Sequence, residues 1–141
     1  MDKVYKSIVR TGRGGAVGKM SKPGGIEGFK MLTGLEVIPG TLNIHMAEPF
    51  DLSPLKYFRF ADIGWDFDPA TQGIEFDGEI GMYYSRATVA GKYPAVIIFW
   101  TWVLDIHTCG ELVSPQHLRT VLNLTDSDTV EFTLDNQPAN N

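Results

Sequence analysis

Thr41 and Asn43 place a hydroxyl and a side-chain amide two residues apart in a segment where polar and apolar residues alternate, residues 40–46. Such alternation is typical of a half-buried strand, in which every second side chain points to the same face. Two uncharged oxygen ligands side by side suit a hard cation that carries phosphate, since such a cation prefers oxygen and takes part of its shell from substrate phosphates. An ordinary strand with a polar outer face has the same pattern, so alternation alone leaves both interpretations open.

A glycine-rich stretch, residues 12–18, has the composition of an anion-binding loop, because glycine lets backbone N–H groups approach a phosphate closely. It is not a P-loop, since Met20 follows the Gly18-Lys19 pair where Ser or Thr is required. It is not a dinucleotide fingerprint either, since Val17 stands where the third glycine belongs. A phosphate-binding loop and a flexible hairpin loop both remain open.

Other common site chemistries find no support in the residue spacing. The histidines, at positions 45, 107 and 117, are too far apart for metal-ligand spacing, and no nucleophile elbow accompanies a serine. The single cysteine, Cys109, excludes an intramolecular disulfide. Trp65, Trp100 and Trp102 could stack on a planar ligand, although core packing is their more usual role.

The elements that must position these residues are short strands and turns. Strands are predicted over residues 4–10, 40–46, 56–61, 73–76, 79–89, 95–104 and 129–134, with a short helix over 27–33 that Gly34 ends. A second helix is predicted to begin with Ser114 as its N-cap and Pro115 at its first position. Many short strands with one or two short helices predict a mostly β protein, a small closed β-barrel.

Length and composition limit the class of protein. A chain of 141 residues with 43% hydrophobic residues predicts one folded domain, residues 1–135, followed by a polar tail, residues 136–141. Residues 1–30 carry a net charge of +5, and the remainder carries −10. An acidic chain with a local basic segment argues against nucleic-acid binding and suits a small phosphorylated ligand. The longest apolar run, residues 93–104, is too short and too interrupted to span a membrane, and the Met-Asp-Lys start favours a cytoplasmic location.

Five segments, in order and spacing, resemble the archaeal-type CTP-dependent riboflavin kinase family. They read Gly-Arg-Gly-Gly at 12–15, Phe-Lys-Met-Leu-Thr-Gly-Leu-Glu at 29–36, Pro-Gly-Thr-Leu-Asn at 39–43, Glu-Leu-Val-Ser-Pro-Gln-His-Leu-Arg at 111–119 and Leu-Asn-Leu-Thr-Asp-Ser-Asp-Thr-Val at 122–130. The middle of the chain, roughly residues 51–80, is poorly matched. The resemblance therefore covers both ends of the domain.

The resemblance implies a cradle-loop (RIFT-like) barrel that transfers phosphate from CTP to riboflavin and produces FMN. It implies Mg²⁺ bound by Thr41 and Asn43, and a flavin contact from Glu111, which is also the candidate catalytic base by position. Nucleotide contacts would come from the glycine-rich loop and from the segment after Pro115, namely Arg13, Gly14, Gly15, Ala16, Val17, Gly18, Gln116, His117, Leu118 and Arg119.

The acceptor side departs from the family pattern. The family's Pro-x-x-Thr-x-His stretch is replaced by residues 99–104, where Thr101 lies near the position of the flavin-contacting threonine. Two alternatives follow: a non-catalytic nucleotide- or flavin-binding barrel, or a kinase for a different small acceptor. In each case the expected partners are small molecules, with no nucleic acid and no membrane, and the expected state is a monomer.

Overall fold

The alternating segments of the sequence form seven strands in the part of the chain that the computed structural model describes, residues 3–11, 20–21 and 24–135. In chain order, the elements are β1 (Val4–Val9), α1 (Gly25–Thr33), β2 (Leu42–Met46), β3 (Lys56–Arg59), β4 (Gly81–Val89), β5 (Tyr93–Trp100), β6 (Cys109–Val113), α2 (Leu118–Val121) and β7 (Thr129–Leu134). Two 3₁₀ helices, Phe60–Ile63 and Pro69–Gln72, lie between β3 and β4. The glycine-rich loop and the polar tail predicted for residues 136–141 lie outside the described residues.

Six strands close into an antiparallel barrel. Their order is β4-β5-β6-β2-β1-β7, and β7 pairs back onto β4 through Ala87 and Leu134. The remaining strand, β3, extends the sheet by pairing with β4. Closure removes the exposed sheet edges that an open sheet of this size would have. The predicted small, closed, mostly β barrel is therefore confirmed.

β5 is buried on both faces and separates two hydrophobic cores. Ala95, Ile97 and Phe99 point into the barrel, where they join apolar side chains from the other five barrel strands. Val96 and Ile98 point outward into a second core. A strand buried on both sides is expected to be a continuous apolar run rather than an alternating one. The sequence of residues 95–100 shows such a run.

The second core, here called the outer layer, consists of aromatic side chains packed on the outer face of β4 and β5. The Phe60 ring stacks on Trp65 with ring centres 4.1 Å apart, and it meets Trp100 and Trp102 edge-on at 5.9 and 5.6 Å. Gly28 lets α1 approach this layer, because a β-carbon there would lie 2.5 Å from the Ile63 side chain. The three tryptophans therefore serve mainly as packing residues.

Several predicted element boundaries are wrong, and each has a local cause. The strand predicted over residues 56–61 ends at Arg59, where the 3₁₀ helix begins at Phe60. Residues 73–76 form no strand and pair with no described strand, because Gly73 (φ 75°) ends the preceding 3₁₀ helix in a left-handed turn. β5 ends at Trp100 rather than at residue 104, since the Thr101 hydroxyl bonds to the backbone of Glu79 and Gly81 instead of continuing the sheet.

The second helix begins three residues later than predicted. Ser114 Oγ accepts from the Gln116 N–H and donates to the Pro94 carbonyl oxygen, which makes a turn rather than a helix cap. His117 is the N-cap of α2, a single turn long. The sequence prediction also omitted β6, which pairs with both β5 and β2. In the described ranges, no helix combines the length and apolar character needed to cross a membrane.

Candidate active site

The register between β2 and β6 brings three oxygen-bearing side chains together on the outer face of the barrel. Asn43 lies directly opposite Glu111, and Glu111 lies opposite Ile98, a residue of the outer layer. Paired residues share a face, so Asn43 and Glu111 both point outward. Thr41, two residues from Asn43, donates a hydrogen bond from Oγ1 to Glu111 Oε1 at 2.7 Å. We call Thr41, Asn43 and Glu111 the polar wall.

The polar wall lines a groove of about 1080 Å³. Small-molecule sites commonly occupy about 300–1,000 Å³, so the groove can hold two ligands of modest size. Two basic residues, Arg10 and Arg119, line it together with Gln116 and His117. The groove therefore combines oxygen ligands for a cation with basic groups for an anion.

At the end of the groove that carries Arg119, here called the basic end, Asp126 bonds to two different segments of the chain. It accepts a hydrogen bond from Thr11 Oγ1, and its Oδ1 lies 3.2 Å from a guanidinium nitrogen of Arg119. The hydrogen bond from Thr11, with a further contribution from Arg119, lowers the pKa of Asp126 below its ordinary value of 3.8. Thr11 immediately precedes the glycine-rich stretch, so Asp126 links the start of that stretch to α2.

The segment after β6 presents Gln116 and His117 to the groove because its neighbours are anchored. Leu118 is buried in the barrel core, and Ser114 is held by its bond to the Pro94 carbonyl oxygen. His117 Nδ1 lies 2.6 Å from Thr120 Oγ1, which orients the imidazole ring at the start of α2. Of the four predicted nucleotide-binding residues in this segment, Leu118 is thus the one whose side chain serves mainly as an anchor.

The opposite side of the groove is formed by residues 73–76 and 101–105, and combines apolar side chains with two acidic ones, Glu75 and Asp105. Ile74, Phe76, Trp102 and Leu104 line this side, which we call the apolar wall. Thr101 lies beside it, but its hydroxyl donates to the Glu79 carbonyl oxygen at 2.7 Å and accepts from the Gly81 N–H at 3.1 Å. Thr101 therefore closes the end of β5, and its hydroxyl proton is already engaged within the protein.

Most of the residues that the sequence singled out for chemistry lie in this one groove. It brings together Thr41, Asn43, Thr101, Glu111 and the segment from Gln116 to Arg119. The predicted nucleotide-binding residues Arg13, Gly14, Gly15, Ala16, Val17 and Gly18 lie outside the described residues. The sequence prediction did not include Arg10, Asp126, Phe76 or Leu104. Asp126 lies in a segment that the sequence connects only with the family resemblance, and the pattern of residues 73–76 predicts a strand rather than one side of a groove.

The donors of the polar wall fit a magnesium ion better than a transition metal. All three side chains offer oxygen, the ligand type that hard cations prefer, and Thr41 Oγ1 keeps a lone pair after donating its proton. No group of three or more His, Cys, Asp or Glu side chains able to hold a metal occurs in residues 3–11, 20–21 and 24–135. A cation here would therefore take part of its coordination shell from a ligand or from water.

Comparison with known proteins agrees with this geometry. A model of the CTP-dependent riboflavin kinases, described as "Domain of unknown function DUF120", matches residues 9–134. A riboflavin kinase from Methanothermobacter thermautotrophicus is 29% identical over 107 residues, which cover 76% of this chain and 79% of that protein. The family match runs from the last residue of β1 to the end of β7 and includes every residue of both walls. The chain belongs to the CTP-dependent riboflavin kinase family.

Proposed function

We propose that this protein transfers the terminal phosphate of a nucleoside triphosphate, with CTP as the donor, to the primary hydroxyl of riboflavin, giving FMN. Membership of a kinase family supports phosphoryl transfer, and the name of the archaeal relative supports riboflavin as acceptor. CTP is proposed as the donor because the family is named for its dependence on CTP. The groove is large enough for donor and acceptor together.

One observation carries the proposal: Glu111 accepts a hydrogen bond from Thr41 and faces Asn43 across two paired strands in that groove. Phosphoryl transfer requires mainly positioning and charge neutralisation, so it needs no covalent nucleophile from the protein. A carboxylate beside two neutral oxygen ligands can accept a proton from an attacking hydroxyl while the ligands hold a cation. The polar wall provides these groups on rigid strands.

Thr41 and Asn43, with Glu111 beside them, would hold magnesium. The ion would neutralise charge on the phosphates during transfer. Asn43 belongs to β2, whose alternate side chains Leu42 and Ile44 are buried in the barrel core, and Thr41 immediately precedes this strand. The positions of the two oxygen ligands are therefore set by the packing of the barrel.

Three charged residues of the groove have roles that their contacts suggest. Glu111 would accept the proton of the acceptor hydroxyl, and Arg119 would contact the phosphates from α2. Arg10 would add positive charge at the end of β1, where its N–H bonds to the Asn43 carbonyl oxygen at 2.9 Å. That backbone bond joins Arg10 to the polar wall, so phosphates held by Arg10 and the cation would lie close together.

The direct test incubates purified protein with riboflavin, Mg²⁺ and either CTP or ATP, and separates the flavins by chromatography. We expect FMN to form with CTP, to form more slowly or not at all with ATP, and to require Mg²⁺. Absence of FMN with every nucleoside triphosphate would refute riboflavin kinase activity. Equal rates with CTP and ATP would leave the kinase assignment in place and refute the donor preference.

A further inference from the structure

Two exposed apolar side chains lie on the apolar wall. Phe76 is 38% exposed, and Leu104 is 100% exposed. A fully exposed leucine contributes nothing to the stability of the core, and an exposed apolar patch inside a ligand-sized groove commonly marks a binding surface. Both residues belong to segments that connect strands, and Phe76 lies in the part of the chain that least resembles the family.

The Phe76 ring is held in place by a glycine. A β-carbon at Gly78 would lie 2.5 Å from the ring carbon Cζ, and 3.0 and 3.1 Å from Cε2 and Cε1. The tip of the ring therefore lies close to the backbone at residue 78, and a side chain there would displace it. Gly78 is a positioning residue for Phe76.

Thr101 is poorly suited to donate a hydrogen bond to the polar edge of a ring. Its hydroxyl proton bonds to the Glu79 carbonyl oxygen, and one of its lone pairs accepts from the Gly81 N–H. Glu75 and Asp105 also line this end of the groove and can accept hydrogen bonds, while the Trp102 ring is buried against Trp100. The exposed apolar side chains at this end, Phe76 and Leu104, are therefore the groups available to the face of a planar ligand.

We propose that Phe76 and Leu104 bind the apolar face of the acceptor's ring system and so determine acceptor specificity. The inference rests on the proposed function, since the acceptor with a large planar ring is riboflavin. An aromatic ring in contact with a planar ligand, together with the apolar area that the contact buries, supplies enough binding free energy to shift affinity about tenfold. The phosphates of the donor and the acceptor hydroxyl that receives the phosphate would lie at the polar wall.

The test measures kcat, and KM for riboflavin and for CTP, in Phe76→Ala, Leu104→Ala and Phe76→Tyr proteins. Met31→Ala is the matched control, because Met31 is an exposed apolar residue on α1 that does not line the groove. We expect Phe76→Ala to raise KM for riboflavin about tenfold and Leu104→Ala about threefold, with KM for CTP unchanged. Phe76→Tyr, which keeps the ring, should recover most of the riboflavin affinity that Phe76→Ala loses, and Met31→Ala should resemble the unaltered protein.

A double substitution tests the role of Gly78. We expect Gly78→Ala alone to raise KM for riboflavin about threefold, and to have no further effect when Phe76 is already alanine, because the two changes act through one ring. Full FMN formation by the unaltered protein with no change of riboflavin KM in Phe76→Ala would refute this inference and leave the proposed function standing. Failure of the unaltered protein to form FMN would refute both.

Discussion

The two walls of the groove are built in different ways. The polar wall lies on paired strands of the barrel, where register determines which side chains face each other, as Asn43 and Glu111 do. The apolar wall lies on connecting segments that pair with no described strand and rest on the aromatic outer layer. The first wall belongs to the short motifs by which the sequence resembles the family, and the second lies outside those motifs.

The two walls therefore suit different tasks in catalysis. Groups that must sit within a fraction of an ångström of reacting atoms are placed best on rigid elements. Groups that select an acceptor can lie on loops, which vary without disturbing the barrel. The polar wall should therefore control the rate of phosphoryl transfer, while the apolar wall should control affinity for the acceptor. Substitutions in the two walls should separate these two effects.

The largest expected effect is on the rate of transfer. Glu111→Gln keeps the size of the side chain and an oxygen that can accept from Thr41, but it removes the base. We expect kcat for FMN formation to fall about a hundredfold to a thousandfold, with the free energy of unfolding nearly unchanged. Glu131→Gln is the control, because Glu131 is exposed on β7 and does not line the groove. An unchanged kcat in Glu111→Gln would remove Glu111 from the mechanism.

The next largest effect is expected from a change in the outer layer, on which the apolar wall rests. Phe60→Leu removes the ring that stacks on Trp65 and contacts Trp102. We expect a loss of about 2 kcal/mol in the free energy of unfolding, measured in urea, and a few-fold rise in KM for riboflavin without a change in CTP binding.

The control for Phe60→Leu is Phe132→Leu, in the barrel core. It should lower stability by a similar amount without selectively raising KM for riboflavin. If both variants raised it equally, loss of stability alone would explain the effect, and the outer layer would have no special relation to the acceptor.

A smaller effect, on the affinity for CTP, is expected when the contacts at the basic end of the groove are weakened. Asp126→Asn removes the charge that holds Arg119 and weakens the bond from Thr11. We expect CTP to bind about three to ten times more weakly, as measured by calorimetry. The kcat for FMN formation should change little. Glu36→Gln is the control, since it breaks an exposed ion pair with Lys30 elsewhere on the surface. Tighter CTP binding in Asp126→Asn would show that Asp126 competes with phosphate rather than positioning Arg119.

The smallest effect is a dependence of stability on pH. The pKa of Asp126 is lower in the folded protein than in the unfolded chain, chiefly because Thr11 donates to it. Its contribution to stability is therefore complete above the unfolded pKa, about 4, and is lost as the pH falls through the lower folded value. The difference in urea midpoint between the unaltered protein and Asp126→Asn should shrink as the pH is lowered below about 4. A constant difference would contradict this assignment.

The sequence predicted those parts of the molecule that periodicity determines. Alternation identified β2 with Thr41 and Asn43 on one face, and the apolar run identified β5. It could not show that Glu111 faces Asn43, because that pairing joins strands almost 70 residues apart and depends on the closure of the barrel. Nor could it indicate Phe76, since residues 73–76 are placed by a 3₁₀ helix and by contact with Gly78 rather than by a repeating pattern.

Magnesium-dependent binding of CTP to the unaltered protein and to Asn43→Ala tests the central claim most directly. Asn43 is half-buried on a strand whose neighbouring side chains form the barrel core, so its truncation should leave the fold intact. We predict that Mg²⁺ strengthens CTP binding by the unaltered protein, and that Asn43→Ala loses most of that gain while binding CTP without Mg²⁺ as before. Equal magnesium dependence in the two proteins would contradict the assignment of the polar wall as the site of the metal and of phosphoryl transfer.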